Sequence, residues 1–217
     1  MGGQACVFYG AAEFSRDTDF AILADSANLV RLGKALTELH ANVIAVPPFE
    51  LKYLRRGHAI HFRCHHPEAA GMRVDIMSKM RGVAPFPGLW RRRTTIKLPD
   101  GTASDLLSLP DLVQAKKTQR DKDWPMIRRL VEAHYFQNRD HATTAQIKFW
   151  LGELRTAALL IEVAELHPAY IRKLVSQRPL LIHAAAAQIG ELEQALRGEE
   201  IAERERDKIY WLPFRKE

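Results

Sequence analysis

The sequence predicts an α+β protein, with a mixed α/β part over residues 1–107 and an all-helical region over 108–217. Short apolar runs recur between helical spacings through the first part. Pro and Gly breaks punctuate it closely, as strand-and-turn architecture requires. Beyond Leu109-Pro110 every segment steps by three and four, the period of a helix.

A short helix is expected over Gln4–Gly10. From Asp17, the run Asp-Thr-Asp-Phe-Ala-Ile-Leu-Ala turns from polar alternation into a buried strand. Ser26 is placed to cap a helix whose apolar positions are Leu29, Leu32, Leu36 and Leu39. Pro47-Pro48 breaks the chain before a short segment ending near Tyr53. Strands follow at His58–His65 and Met72–Met77, then a loop through Pro85, Pro87 and Gly88, and a turn at Pro99-Asp100-Gly101. The helical region divides into Asp111–Gln119, Lys122–Tyr135, Thr143–Glu165, Pro168–Ser176 and Leu181–Arg197, with Gly198 as a stop.

Composition narrows the classes. Of 217 residues, 32 are Lys or Arg and 26 are Asp or Glu, a formal net charge of +6 that favours phosphate-bearing partners. Hydrophobic residues make up 47%, too many for a disordered chain. No apolar run approaches the 18 or so residues of a membrane span. The two cysteines, Cys6 and Cys64, do not make a disulfide scaffold, so the expectation is a cytoplasmic protein without a membrane partner.

The acidic residues carry the chemistry. Asp17 and Asp19 stand two apart on a strand, so both carboxylates point to one face. Like charges held that close call for a cation or for a raised pKa. Asp75, in Arg73-Val-Asp75-Ile-Met, adds a third carboxylate inside an apolar strand. Three such groups from adjacent strands would hold two divalent ions about 3.5–4 Å apart for in-line phosphoryl or nucleotidyl transfer. Mg²⁺ suits such oxygen donors, with Mn²⁺ as the alternative. Upstream, Gly2 and Gly3 would let phosphate oxygens approach the backbone closely.

Gly2-Gly3, thirteen intervening residues, Asp17-Thr18-Asp19-Phe20 and then Asp75 together resemble the polymerase-beta-like nucleotidyltransferase superfamily. Gly10-Ala-Ala-Glu13-Phe-Ser15-Arg16-Asp17-Thr-Asp19 is similar to the corresponding run of its minimal and abortive-infection (AbiEii-type) branches. Asp111-Leu112, Lys116, Arg120 and Lys122-Asp123 resemble the helix that follows the catalytic domain there. Glu13 stands where that family usually has Arg, and Met1 immediately precedes Gly2, where the family has a strand.

The resemblance implies a nucleotidyltransferase fold: a mixed sheet flanked by helices. It implies metal-dependent transfer of a nucleoside monophosphate from an NTP to an acceptor. Asp17, Asp19 and Asp75 would be the catalytic and metal-binding residues. Gly2, Gly3, Ser15, Arg16, Lys116 and Arg120 would bind the nucleotide. The acceptors implied include RNA and tRNA, in a toxin–antitoxin or phage-defence setting with a cognate antitoxin. The alternative is a catalytically impaired protein of that fold acting as an RNA- or protein-binding module.

Two basic stretches bear on the acceptor. Lys79, Arg81, Arg91, Arg92, Arg93 and Lys97 lie between Asp75 and Asp100 with no acid among them, and Lys116, Lys117, Arg120 and Lys122 follow. Each reads either as phosphate contact or as a solvated face. His58, His61, Cys64, His65 and His66 suggest zinc, but strand alternation divides them between two faces.

Overall fold

The computed structural model describes residues 1–215. They divide into two compact units: Met1–Lys116 together with the chain from Tyr210 on, and Lys117–Ile209.

In the first unit α1 (Gly2–Phe8) leads to β1 (Asp17–Ala21), α2 (Ser26–Glu38), β2 (Asn42–Val43), α3 (Leu51–Arg56), β3 (Ile60–Arg63) and β4 (Arg73–Met77). The four strands form one mixed sheet in the order β1-β4-β3-β2. β1 runs parallel to β4, and the other pairs are antiparallel. The period of two divides the sheet cleanly. Ile60 and Phe62 of β3 and Val74 and Ile76 of β4 join Ile22, Leu36, Leu54 and Cys64 in a buried core, against which Leu29, Leu32 and Leu39 pack. His61, Arg63, Arg73 and Asp75 alternate with these residues and so take the opposite face. The predicted apolar stripe of α2 is therefore its core face. Its cap is Asp25 rather than Ser26: the Asp25 side chain accepts from Asn28 N at 2.7 Å, and Ser26 is the first helical residue.

The unit continues with α4 (Phe86–Arg92), the hairpin β5 (Thr94–Lys97)–β6 (Ala103–Leu106) and α5 (Leu109–Lys116). A helix stands where the sequence suggested a loop. Pro87 falls in its first turn, where a missing N–H leaves no helical bond unmade. The hairpin turns at Pro99-Asp100-Gly101, where Asp100 Oδ1 accepts from Thr102 N at 2.9 Å and Gly101 adopts φ +86°.

The second unit is helical: α6 (Asp123–Asn138), α7 (Thr144–Glu153), α8 (Ala157–Leu166), α9 (Pro168–Leu174), α10 (Leu181–Ala185) and α11 (Ile189–Trp211), the last crossing into the first unit at Tyr210. Ile127, Val131, Tyr135, Trp150, Leu151, Leu160, Leu181 and Leu192 are fully buried. The single helix expected over Thr143–Glu165 is two. The Arg178 guanidinium takes Leu151 O at 2.7 Å and Leu154 O at 3.0 Å, which satisfies the carbonyls where α7 ends. The expected helix Leu181–Arg197 is also two, separated by Ala187 at φ 51°. Nor does Gly198 stop α11. It costs the helix only about 1 kcal/mol, and the i,i+3 and i,i+4 pairs Arg204–Glu200, Arg206–Glu203 and Lys208–Glu205 carry the helix past it. Among the described residues no helix is long and apolar enough to cross a membrane.

Candidate active site

The register of β1 and β4 arranges the polar face of the sheet in two rows. Asp19 pairs with Asp75, and Asp75 with His61 on β3. Next to that row, Asp17 pairs with Arg73, and Arg73 with Arg63. The three predicted carboxylates therefore share one face, with a guanidinium among them.

Asp19 is built into the glycine pair. Gly3 N donates to Asp19 Oδ2 at 3.3 Å, and the Met1 ammonium donates to Asp19 O at 2.7 Å. Gly2 has φ +64°, and a Cβ there would run into the Asp19 carboxylate. A Cβ on Gly3 would run into Ser15 Oγ. Ser15 Oγ in turn donates to Asp17 O at 2.9 Å, and Gln4 Nε2 to Ser15 O at 3.3 Å. Glycine is required at Gly2 both for its backbone conformation and for close approach. Gly2, Gly3, Ser15, Asp17 and Asp19 thus form one packed constellation. Lys116, buried at the end of α5, lies near enough for its charge to favour the ionised form of Asp19.

Electrostatics separates the acids. Burial pushes the Asp19 carboxyl above the usual carboxylate range, and the Asp75 charge pushes it further. The Gly3 N–H, Lys116 and the terminal ammonium oppose that rise without cancelling it. Burial also works to raise Asp75, yet the hydrogen bonds from His61 and Arg73 outweigh it and hold the carboxyl low. Arg73 Nε donates to Oδ1 at 2.9 Å and Nη2 to Oδ2 at 3.0 Å, a bidentate clamp on both oxygens. His61 Nδ1 lies 2.8 Å from Asp75 Oδ1 and 3.1 Å from Arg73 Nη2, so its tautomer decides which contact is the hydrogen bond.

No family model matches the chain, and no curated protein matches it.

The remaining predicted residues divide. Arg16 is exposed just before β1. Arg120 belongs to the second unit, where its Nε donates to Asp123 Oδ2 at 2.8 Å. The buried Asp123 also accepts from Thr118 Oγ1 at 2.6 Å. Asp111 accepts from Ser108 Oγ at 2.6 Å and from Arg92 at 2.8 and 3.0 Å. Of the Arg91–Arg93 run, Arg92 is thus committed to Asp111. Arg93 pairs with Asp105 at 3.1 Å and lies over the Trp90 ring, 4.0 Å from its centroid.

Arg73 and His61 were not assigned these roles from sequence. Arg-x-Asp on a strand signals a shared face for Arg73. For His61 the signal lies in the β3–β4 register alone.

As a donor set, Asp17 and Asp19 offer hard oxygens on one face of β1, the chemistry Mg²⁺ takes. Asp75 fits less well, because Arg73 holds both its oxygens. Among the described residues no three His, Cys, Asp or Glu side chains gather closely enough to hold a metal ion.

Proposed function

We propose that the chain is a nucleotidyltransferase that moves a nucleoside monophosphate from an NTP to an acceptor hydroxyl. The observation that carries this reading is the interlock of Gly2 and Gly3 with Ser15 and Asp19, placed beside Asp75 by the β1–β4 register. A glycine turn packed onto Asp19 and Ser15 keeps backbone N–H groups beside paired carboxylates, a combination that suits a triphosphate and its counter-ion. Asp17 and Asp19 would hold Mg²⁺ or Mn²⁺, which neutralises developing phosphate charge when bound.

The chain's own residues then divide the work. Gly2 and Gly3 let the phosphates approach, and Lys116 supplies positive charge beside Asp19. The acceptor oxygen attacks the α-phosphorus, the bond to the bridging oxygen breaks and pyrophosphate leaves. His61, on the same face as Asp75 and hydrogen-bonded to it, is placed to take the hydroxyl proton. Asp75 is held ionised by Arg73 and His61 and orients the imidazole.

RNA or tRNA is the favoured acceptor on the net charge of +6. A toxin–antitoxin or phage-defence role with a cognate antitoxin belongs to this proposal, as implied by the resemblance. Arg91, exposed, is the residue of its run that carries the RNA reading once Arg92 and Arg93 are paired internally. The rival, a binding module without catalysis, is favoured by the Arg73 clamp on Asp75. Incubation with each labelled NTP, Mg²⁺ and total tRNA separates the two. Label transferred by the wild type and lost in Asp17→Asn/Asp19→Asn supports the enzyme. RNA retention without transfer supports the module.

A further inference from the structure

We infer that Arg73 stands in the place of a second divalent cation, so that the site takes one divalent ion per chain rather than two. This deepens the nucleotidyltransferase reading and rests on it.

Three observations converge on Arg73. Strand alternation and register put it on the acid face, level with Asp17 and two residues before Asp75. Its guanidinium clamps Asp75 through both oxygens at 2.9 and 3.0 Å, and the His61 ring stands 2.8 Å from Oδ1, closing that side of the carboxylate. A carboxylate has about four lone-pair positions, so Asp75 has little left for a metal. Finally, the guanidinium feels the charges of Asp17 and Asp19 as well as that of Asp75. It is a counter-ion to the whole face.

Charge agrees with the geometry. The Arg73 guanidinium already offsets one of the three carboxylates, and Lys116 and the Met1 ammonium act on Asp19, so the face has less negative charge than two divalent ions would need. A second ion bridging to Asp75 would have to displace Arg73 or sit against it, and like charges repel. Arg73 is a positioning residue here: it fixes Asp75 and sets how many metal ions the face accepts.

The test counts ions on the full chain. Mn²⁺ titration is followed by electron paramagnetic resonance of the free ion and by calorimetry, with no substrate present. One Mn²⁺ per chain is expected on the wild type, and two on Arg73→Gln, a doubling of stoichiometry. Arg73→Lys keeps the charge without the planar fork and should stay at one, which separates charge from folding defects. Circular dichroism checks that each variant is folded. If Arg73→Gln unfolds, the wild-type and Arg73→Lys counts decide. Two Mn²⁺ on the wild type, or one at unchanged affinity on a folded Arg73→Gln, overturns the inference and leaves the enzyme reading standing. No Mn²⁺ on either overturns the inference and leaves the enzyme reading to the label-transfer assay.

Discussion

Asp19 and Asp75 are register partners on the parallel strands β1 and β4, and their surroundings drive the two carboxyls in opposite directions. Asp75 is already compensated by Arg73 and His61. Asp19 is half-buried, with the Gly3 N–H, Lys116 and the terminal ammonium as compensation, and lies beside another negative charge. One face therefore contains a strongly compensated acid and a weakly compensated one, and this asymmetry has measurable consequences.

The first concerns pH. The folded Asp19 has a pKa above its unfolded value, so between the two the native state binds the extra proton and stability falls as pH rises. Above that window the cost is complete. Asp19→Asn should therefore raise the thermal midpoint at neutral pH, with the gain shrinking as pH drops through the raised value. Asp75 has the opposite sign: its stabilisation is present above the unfolded carboxylate value and is lost as pH falls through the lowered one. Asp75→Asn should cost about 1–3 kcal/mol at neutral pH, because a charged hydrogen-bond partner is removed. Thermal melts of both variants across acid and neutral pH check the pair. A destabilised Asp19→Asn at neutral pH would contradict the assignment.

Only part of this could be read from the chain. Asp17 and Asp19 share a face by local alternation, a property two residues apart, and the same rule places Asp75 opposite Val74 and Ile76. The His61–Asp75 contact needs the pairing of β3 with β4, a non-local register that no spacing reports. Arg92 and Arg93 read as a basic run because their partners, Asp111 and Asp105, lie on other elements. The break after α7 was hidden for the same reason: Arg178, far along the chain, supplies the donors that end the helix. Gly198 failed as a stop signal because a solvent-facing glycine weakens a long helix without ending it.

Glycines supply a second prediction through contrast. Gly2→Ala meets both φ +64° and the Asp19 carboxylate, so it should destabilise by about 1–3 kcal/mol. Gly198 has nothing within 4 Å of its would-be Cβ and lies inside α11. Gly198→Ala should stabilise by up to about 1 kcal/mol. Urea unfolding of each, with m-values compared to confirm an intact fold, reads the two signs directly. The same sign for both would remove the case for Gly2 as a site glycine.

The third prediction belongs to the helical unit. Arg178 is buried, donates to two backbone carbonyls, and pairs with Glu199 at 2.9 Å. Burial works to raise Glu199, but Arg178 and Arg155 hold its carboxyl low. Removing Arg178 leaves Glu199 to Arg155 alone, at 2.8 Å, and strips two helix-end carbonyls of their donors, at a cost of about 1–3 kcal/mol. Arg178→Met should lower the unfolding free energy by that amount, and Arg178→Met/Glu199→Gln should recover only part of it, because Arg155 then loses its carboxylate partner. A double variant no more stable than the single would show that the loss lies in the α7 carbonyls rather than in the ion pair.

The last prediction separates Lys116 from Arg120, two cations that the sequence assigned to one nucleotide. Lys116 ends α5 in the first unit, and its charge is felt by Asp19 and by the Met1 ammonium. Arg120 lies in the second unit and is held by the buried Asp123, a pairing that organises the start of α6. If the triphosphate rests on the glycine turn, Lys116→Met should weaken Mg²⁺–NTP binding about tenfold, equivalent to about 1.4 kcal/mol. It should raise apparent KM more than it lowers kcat, since the charge is present in ground and transition states alike. It should also push the Asp19 carboxyl still higher, because a favourable charge is lost. Arg120→Ala should leave nucleotide affinity unchanged and lower thermal stability, because Asp123 loses a charged partner. Calorimetry with Mg²⁺–NTP and thermal melts on both variants give the four readings. Nucleotide affinity lost in Arg120→Ala and kept in Lys116→Met would move the triphosphate away from the glycine turn, and the proposed reaction would lose its phosphate site.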